Sequence, residues 1–139
     1  EEIDLQWRMQ LAGWRIVVEP KSVVYHLGGG PLPASSRKIF LNHRNNLAML
    51  FKCASPMQRA VVAVVRPATD MLEAFVNLVT LHPQRAWAIM RAWGEFIAWH
   101  GVLSRKRKAV VRTKKVDNIY RNSIVLRYIF GGRKFNNMM

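Results

Sequence analysis

Apolar positions recur every three or four residues along most of this chain, with one interruption near its start. In EEIDLQWRMQLAG, Leu5, Met9 and Ala12 form one stripe and Ile3, Trp7 and Leu11 a second. That pattern predicts a helix with most of its circumference buried. Acidic residues crowd its first turn, where the helix dipole favours them, and Gly13 stands where a left-handed residue ends a helix. The period then drops to two. In WRIVVEP, Trp14, Ile16 and Val18 alternate with Arg15, Val17 and Glu19 before Pro20, which predicts a strand with one face on a core. SVVYH predicts a second short strand. LGGGPLP holds no regular element, because its glycines admit positive φ and its two prolines stiffen the chain beyond them.

Helical spacing then returns. Ser35 or Ser36 can cap a helix reaching about Cys53, with Ile39, His43, Leu47 and Leu50 as its stripe and Phe40 and Phe51 widening it. Pro56 breaks the chain. A mostly apolar helical stretch extends from Met57 to Leu81, which Pro67 is expected to kink or split. Pro83 fits the first turn of another helix, on which Trp87, Met90, Trp93 and Ile97 share a face. A membrane span needs about 20 apolar residues with few charges. The best candidate, Met57–Leu81, carries Arg59, Arg66, Asp70 and Glu73, so helices lying on a surface fit better.

Composition and charge sharpen the picture. The 139 residues, half of them hydrophobic, suit one domain with a modest core. The chain opens on a charged helical segment with neither an initiator Met nor a signal-peptide pattern, and so reads as the later part of something longer. The single cysteine, Cys53, excludes an internal disulfide framework and a cysteine-based zinc site, and reads as a small apolar residue on a helix face. The net charge is +14, unevenly spread. Four carboxylates face three cations in residues 1–30, leaving −1 there and +15 beyond. A near-neutral front and a basic back suggest chemistry in front and contact with an anionic surface behind. The divisions are 1–33, a connecting helix over 34–55, a helical extension over 56–104 and a basic tail over 105–139.

The tail begins with RKRKAVVRTKK, and Trp87, Trp93, Phe96 and Trp99 precede it. Tryptophans beside cations suit a membrane interface, and phosphate contacts from the same cations suit nucleic acid. The helical spacing of the aromatics favours packing between helices, with a solvated tail. Docking on an anionic membrane surface ranks next and nucleic acid last. A basic helical binding module without catalysis is the alternative to an enzyme. His43, His82 and His100 read as structural or surface residues. His26, at the end of the second expected strand, reads either as a ligand or as a polar residue bonded to backbone.

EEIDLQWRMQLAGWRIVVEPKSVVYHLGGG followed by HRNNLAMLFK resembles the inverting, nucleotide-sugar-dependent glycosyltransferases of family two. The nearest likeness is to their rhamnosyltransferase-like and galactofuranosyltransferase-like members, and it covers about residues 1–52. In that family an acidic pair opens a helix, an Arg and a Gly-aromatic turn come after it, two strands end in an aromatic-His, and an Arg-Asn pair lies on the next helix. The resemblance implies an α/β fragment: the C-terminal edge of a GT-A-type nucleotide-sugar-binding fold, followed by a mainly α-helical extension. It implies that Glu2 is the general base, that Asp4 supports it, and that His26 helps hold a divalent cation, Mg2+ or Mn2+, on the donor diphosphate. Glu1, Gly28, Gly29, Gly30, Arg44 and Asn45 then border the donor and acceptor pocket. The implied partners are a nucleotide-sugar donor and a lipid-linked or polysaccharide acceptor. The implied location is cytoplasmic, peripheral on the inner face of the plasma membrane. The chemistry is coherent: a sugar hydroxyl needs a carboxylate to take its proton as it attacks, and a departing diphosphate carries negative charge that a metal neutralises. The upstream Asp-x-Asp motif and the nucleotide-binding half are not in this stretch, so it is not expected to catalyse transfer by itself. Glu1–Glu2 also stands where Glu-Asp is more common, which lengthens the base by one methylene.

Overall fold

The computed structural model describes residues 2–25 and 35–116. Among them every regular element is a helix: α1 (Glu2–Leu11), α2 (Ser36–Cys53), α3 (Pro56–Val79), α4 (Pro83–Ala98) and α5 (His100–Lys108). The expected α/β architecture is therefore corrected to an all-helical one. WRIVVEP and the described part of SVVYH run without strand structure. Ser22 N–H donates to the Glu19 carbonyl and Lys21 N–H to the Glu19 carboxylate, both at 3.0 Å, closing a turn where a hairpin ladder was expected. A strand is held by a partner's backbone, and no described residue supplies one. Val18, Val24 and Tyr25 accordingly lie 87%, 87% and 98% exposed. The alternating pattern marked a stretch without helical spacing, but alternation cannot create the pairing.

The helix ends obey local chemistry. Gly13 N–H bonds to the Gln10 carbonyl and Trp14 N–H to the Met9 carbonyl, each at 3.0 Å, with Gly13 at φ +94°. This is the left-handed stop that Gly13 promised. Ser35 Oγ accepts from Lys38 N–H and so caps α2. Ser55 and Gln58 close a capping box on α3, with Pro56 in the first turn. Pro67 does not split α3, which runs on as a single helix to Val79.

The core lies between α2 and α4. Phe40 packs against Ala88 and Ala92, with Ile39 and Leu41 at its edge. A second cluster joins Ala74 of α3 to Ala86 and Ile89 of α4, flanked by Ile39 and Trp93. Small residues on α4 allow the close approach; of its larger residues Ile89 is buried, while Trp87, Met90 and Ile97 turn outward. Trp87 is 70% exposed and Ile97 is exposed as well, so the face expected from Trp87, Met90, Trp93 and Ile97 is not the buried one. Only Trp93 of that set points inward, donating its Nε1–H to Asp70 Oδ2 at 2.9 Å. α1 departs from expectation too. Of its two stripes only Leu11 is buried, because α1 rests on α2 alone among the helices.

α3 ends in the same hydrogen-bond pattern as α1. His82 N–H bonds to the Asn77 carbonyl and Leu81 N–H to the Leu78 carbonyl. Here the left-handed residue is Leu81, at φ +60° and almost fully exposed. A side chain in that region costs about 1–2 kcal/mol. Leu81→Gly should therefore stabilise the fold by about 0.5–1 kcal/mol once glycine's greater unfolded-state entropy is subtracted, measured as a higher midpoint of urea unfolding.

Candidate functional site

The N-terminal half of α1 and one face of α2 enclose a groove of about 840 Å³. Its α1 wall carries Glu2, Asp4 and Arg8; its α2 wall carries Asn42, Arg44, Asn45, Asn46 and Lys52, over a floor that includes Met49. Helical spacing explains the second wall: residues 42, 45, 46, 49 and 52 fall on one side of α2, and Phe40, His43 and Leu47 on its buried side. Four residues singled out by the sequence thus border one space, namely Glu2, Asp4, Arg44 and Asn45. Asn42, Asn46 and Lys52 were not foreseen, although their polar stripe is visible in the sequence. Glu1, His26, Gly28, Gly29 and Gly30 lie outside the described residues.

Asp4 holds the two walls together. Lys52 Nζ stands 2.7 Å from Asp4 Oδ1, and Arg8 Nε 3.0 Å from Asp4 Oδ2. Burial raises the pKa of this carboxyl, but the hydrogen bonds and charges of Lys52 and Arg8 outweigh it and leave the group more acidic than an ordinary aspartate. Asp4 is thus committed to ion pairs. Its third neighbour is the Cys53 thiol, 3.8 Å from Oδ1. Burial, and then the Asp4 charge, push Cys53 up to about 11, so it stays a protonated thiol at neutral pH rather than a nucleophile. Glu2 is solvent-exposed at the mouth of the groove. Its carboxylate is held below the usual range, first by a hydrogen bond to its own backbone, so it is ionised at neutral pH and a weaker base than an ordinary glutamate.

Arg44 is fixed on several sides. Its Nε and Nη2 donate to Asn45 Oδ1 at 3.1 and 3.0 Å, and Nη1 donates to Glu95 Oε2 at 3.2 Å. The guanidinium also lies 5.2 Å from the Phe40 ring centre and 5.0 Å from that of Trp99, within cation–π range. A cation so anchored presents a preset charge at the groove edge.

The basic segment has a structural part. Arg107 Nη1 donates to the carbonyls of Phe51, Lys52 and Ala54 at 2.8, 3.1 and 3.0 Å. Arg112 donates to the Cys53 carbonyl at 3.0 Å and also to the Lys52 carbonyl. These are the carbonyls that the end of α2 leaves without helical donors. Farther on, the N–H groups of Thr113 and Lys114 donate to the Leu11 carbonyl at 2.9 and 3.2 Å, which attaches the same segment to the end of α1.

Comparison with protein-family models, curated proteins and solved structures finds no match to this chain. Burial, and then the nearby Arg59 and Arg112, make the Arg107 guanidinium somewhat easier to deprotonate, which is the cost of placing it against α2. Arg107→Ala should destabilise the fold by about 1.5–3 kcal/mol, the range for hydrogen bonds to a charged group, as read from denaturant unfolding. Arg107→Lys should recover only part of that loss, because an ammonium lacks the guanidinium's fork of donors.

Proposed function

We propose that this chain forms the acceptor-side groove of an inverting glycosyltransferase that works against an anionic membrane surface. The observation that carries the reading is the meeting of Glu2 with Arg44 and Asn45 across the α1–α2 groove. These are the positions that the family resemblance nominates from two separate stretches of sequence. The proposal concerns the chemistry and does not restore the α/β fold set aside above.

In the proposed reaction an acceptor hydroxyl enters the groove beside Glu2. Its oxygen attacks the anomeric carbon from the side opposite the nucleotide. The new C–O bond forms as the old one breaks, the diphosphate leaves with the electron pair, and the hydroxyl proton passes to the Glu2 carboxylate. Attack from the rear inverts the anomeric configuration. Arg44, held by Asn45 and Glu95, supplies positive charge at the edge of the site. The side-chain amides of Asn42 and Asn46 offer donors and acceptors to sugar hydroxyls. The resemblance also implies a divalent cation at His26. Among the described residues the groove gathers no set of ligands close enough to hold one, since the single such group lies elsewhere, at His43, Asp70 and Glu73. No step is therefore routed through a metal.

A membrane surface is favoured by the faces that α3 and α4 leave uncovered. Val61, Val64, Val65, Leu72 and Phe75 of α3, with Trp87 of α4, are exposed apolar side chains beside a strongly cationic chain. Apolar side chains can enter the headgroup boundary while cations meet anionic lipid, each worth about 1 kcal/mol near the surface. No described helix is long and apolar enough to cross a membrane. On this reading the attachment is peripheral, at the cytoplasmic leaflet.

Glu2→Gln in the full-length protein should lower transfer by about 10²–10⁴-fold, the usual contribution of a general base, while nucleotide-sugar binding is kept. Unchanged turnover would end the assignment. In sedimentation with vesicles the chain should bind phosphatidylserine-containing membranes and not pure phosphatidylcholine, and Trp87→Ser should weaken that binding. Equal binding to both vesicles, or preference for a nucleic acid with steep salt dependence, would remove the membrane from the account.

A further inference from the structure

His43 lies on the buried face of α2 and takes no part in the groove. Its Nδ1 sits 3.0 Å from the Ile39 carbonyl, which can only accept, so Nδ1 carries the ring proton. In the neutral ring Nε2 therefore presents a lone pair. That atom is buried and makes no hydrogen bond, and His43 as a whole is only 7% exposed. The surroundings of Nε2 are unusual: Asp70 Oδ1 at 3.6 Å and Glu73 Oε2 at 3.3 Å. A lone pair opposed to two carboxylate oxygens is repulsive unless positive charge stands between them. Asp70 and Glu73 bring two negative charges, and Arg66, whose Nε is 3.2 Å from Asp70 Oδ1, supplies one positive. One negative charge remains to be balanced.

The separations match a metal site. Ligands bound at about 2.0–2.2 Å in tetrahedral geometry stand about 3.3–3.6 Å apart, and the three candidate atoms all lie within 4.8 Å of one another. Asp70 and Glu73 are three apart on α3 and so share a face. The surrounding contacts also fit, since metal-bound imidazoles and carboxylates are commonly oriented by a second hydrogen bond. The Ile39 carbonyl orients His43, and the Trp93 indole N–H holds the other oxygen of Asp70 at 2.9 Å. Glu73 is half exposed, which gives an ion a way in and a water a fourth position. Arg66 stands in competition, but its Nε makes no hydrogen bond and its side chain reaches solvent, so it can swing aside.

We propose that His43 Nε2, Asp70 and Glu73 bind one first-row transition dication, with Zn2+ the best fit, which clips α2 to α3. An imidazole with two carboxylates suits Zn2+ better than the all-oxygen preference of Mg2+ or Ca2+. The site is separate from the α1–α2 groove and stands whether or not the glycosyltransferase reading holds.

The test is titration of the chelator-stripped full chain with Zn2+ by calorimetry, and with Co2+ by visible absorption. One ion should bind per chain, raise the melting temperature and give the intense visible bands of four-coordinate Co2+. Glu73→Gln, at a half-exposed position that the core does not need, should weaken Zn2+ binding by at least about 100-fold, beyond the usual loss of an outer partner. His43→Gln should do the same, and His100→Gln should leave binding unchanged. No binding by the wild-type chain overturns the proposal. Wild-type affinity in Glu73→Gln, or equal affinity for Mg2+, overturns it as well.

Discussion

The C-terminal turn of α2 is the junction on which the described structure depends. Its last carbonyls need donors, and two arginines far along the chain supply them: Arg107 to Phe51, Lys52 and Ala54, and Arg112 to Cys53 and Lys52. On the other side of the turn, Lys52 reaches Asp4 and draws the start of α1 onto α2. Three helices thus converge on residues 51–54. Cys53 and Ala54 are almost wholly buried there, although neither is large. Buried carbonyls without donors would cost about 1–3 kcal/mol each, so the cations are a condition for folding the turn into that position.

The groove derives from that junction. α1 makes few contacts of its own, and Leu11 is its sole buried residue. Polar contacts therefore fix its place: Asp4 to Lys52 at one end, and the Leu11 carbonyl to Thr113 and Lys114 at the other. Gly13 belongs to the same arrangement. Its left-handed conformation turns the chain, and a side chain there would crowd Thr113 Oγ1 at 3.1 Å. With α1 so placed, Glu2 stands across from the polar stripe of α2.

Much of this was legible in the sequence where the cause is local. The Gly13 stop and the Ser35 cap, one of the two caps expected, depend on residues within a turn of one another and appear. Of the expected α2 stripe, His43 and Leu47 are buried and Ile39 and Leu50 only half-buried, while Phe40, expected at its edge, is buried with them. The expectation for WRIVVEP and SVVYH failed because strand pairing depends on a partner, which alternation does not reveal. The outward Trp87 was missed for a related reason: size suggested burial, but the small Ala88 and Ala92 determine how closely α2 can approach. Of the residues that border the groove, Glu2, Asp4, Arg44 and Asn45 had been nominated through the order of motifs, and the stripe from Asn42 to Lys52 was visible and overlooked. The roles of Arg107 and Arg112, and the contact of Asp70 with Trp93, could not be read, because those partners lie 23 to 60 positions away.

The ion pair between Asp4 and Lys52 is the contact that makes α1 and α2 into one groove, and a double-mutant cycle measures it directly. Asp4→Asn, Lys52→Met and the pair combined would be unfolded in urea. The account predicts a coupling of at least about 0.5 kcal/mol, as expected for neighbours that share a partner. Strict additivity of the two substitutions would mean that α1 does not rest on α2 through this contact, and the groove would lose its basis.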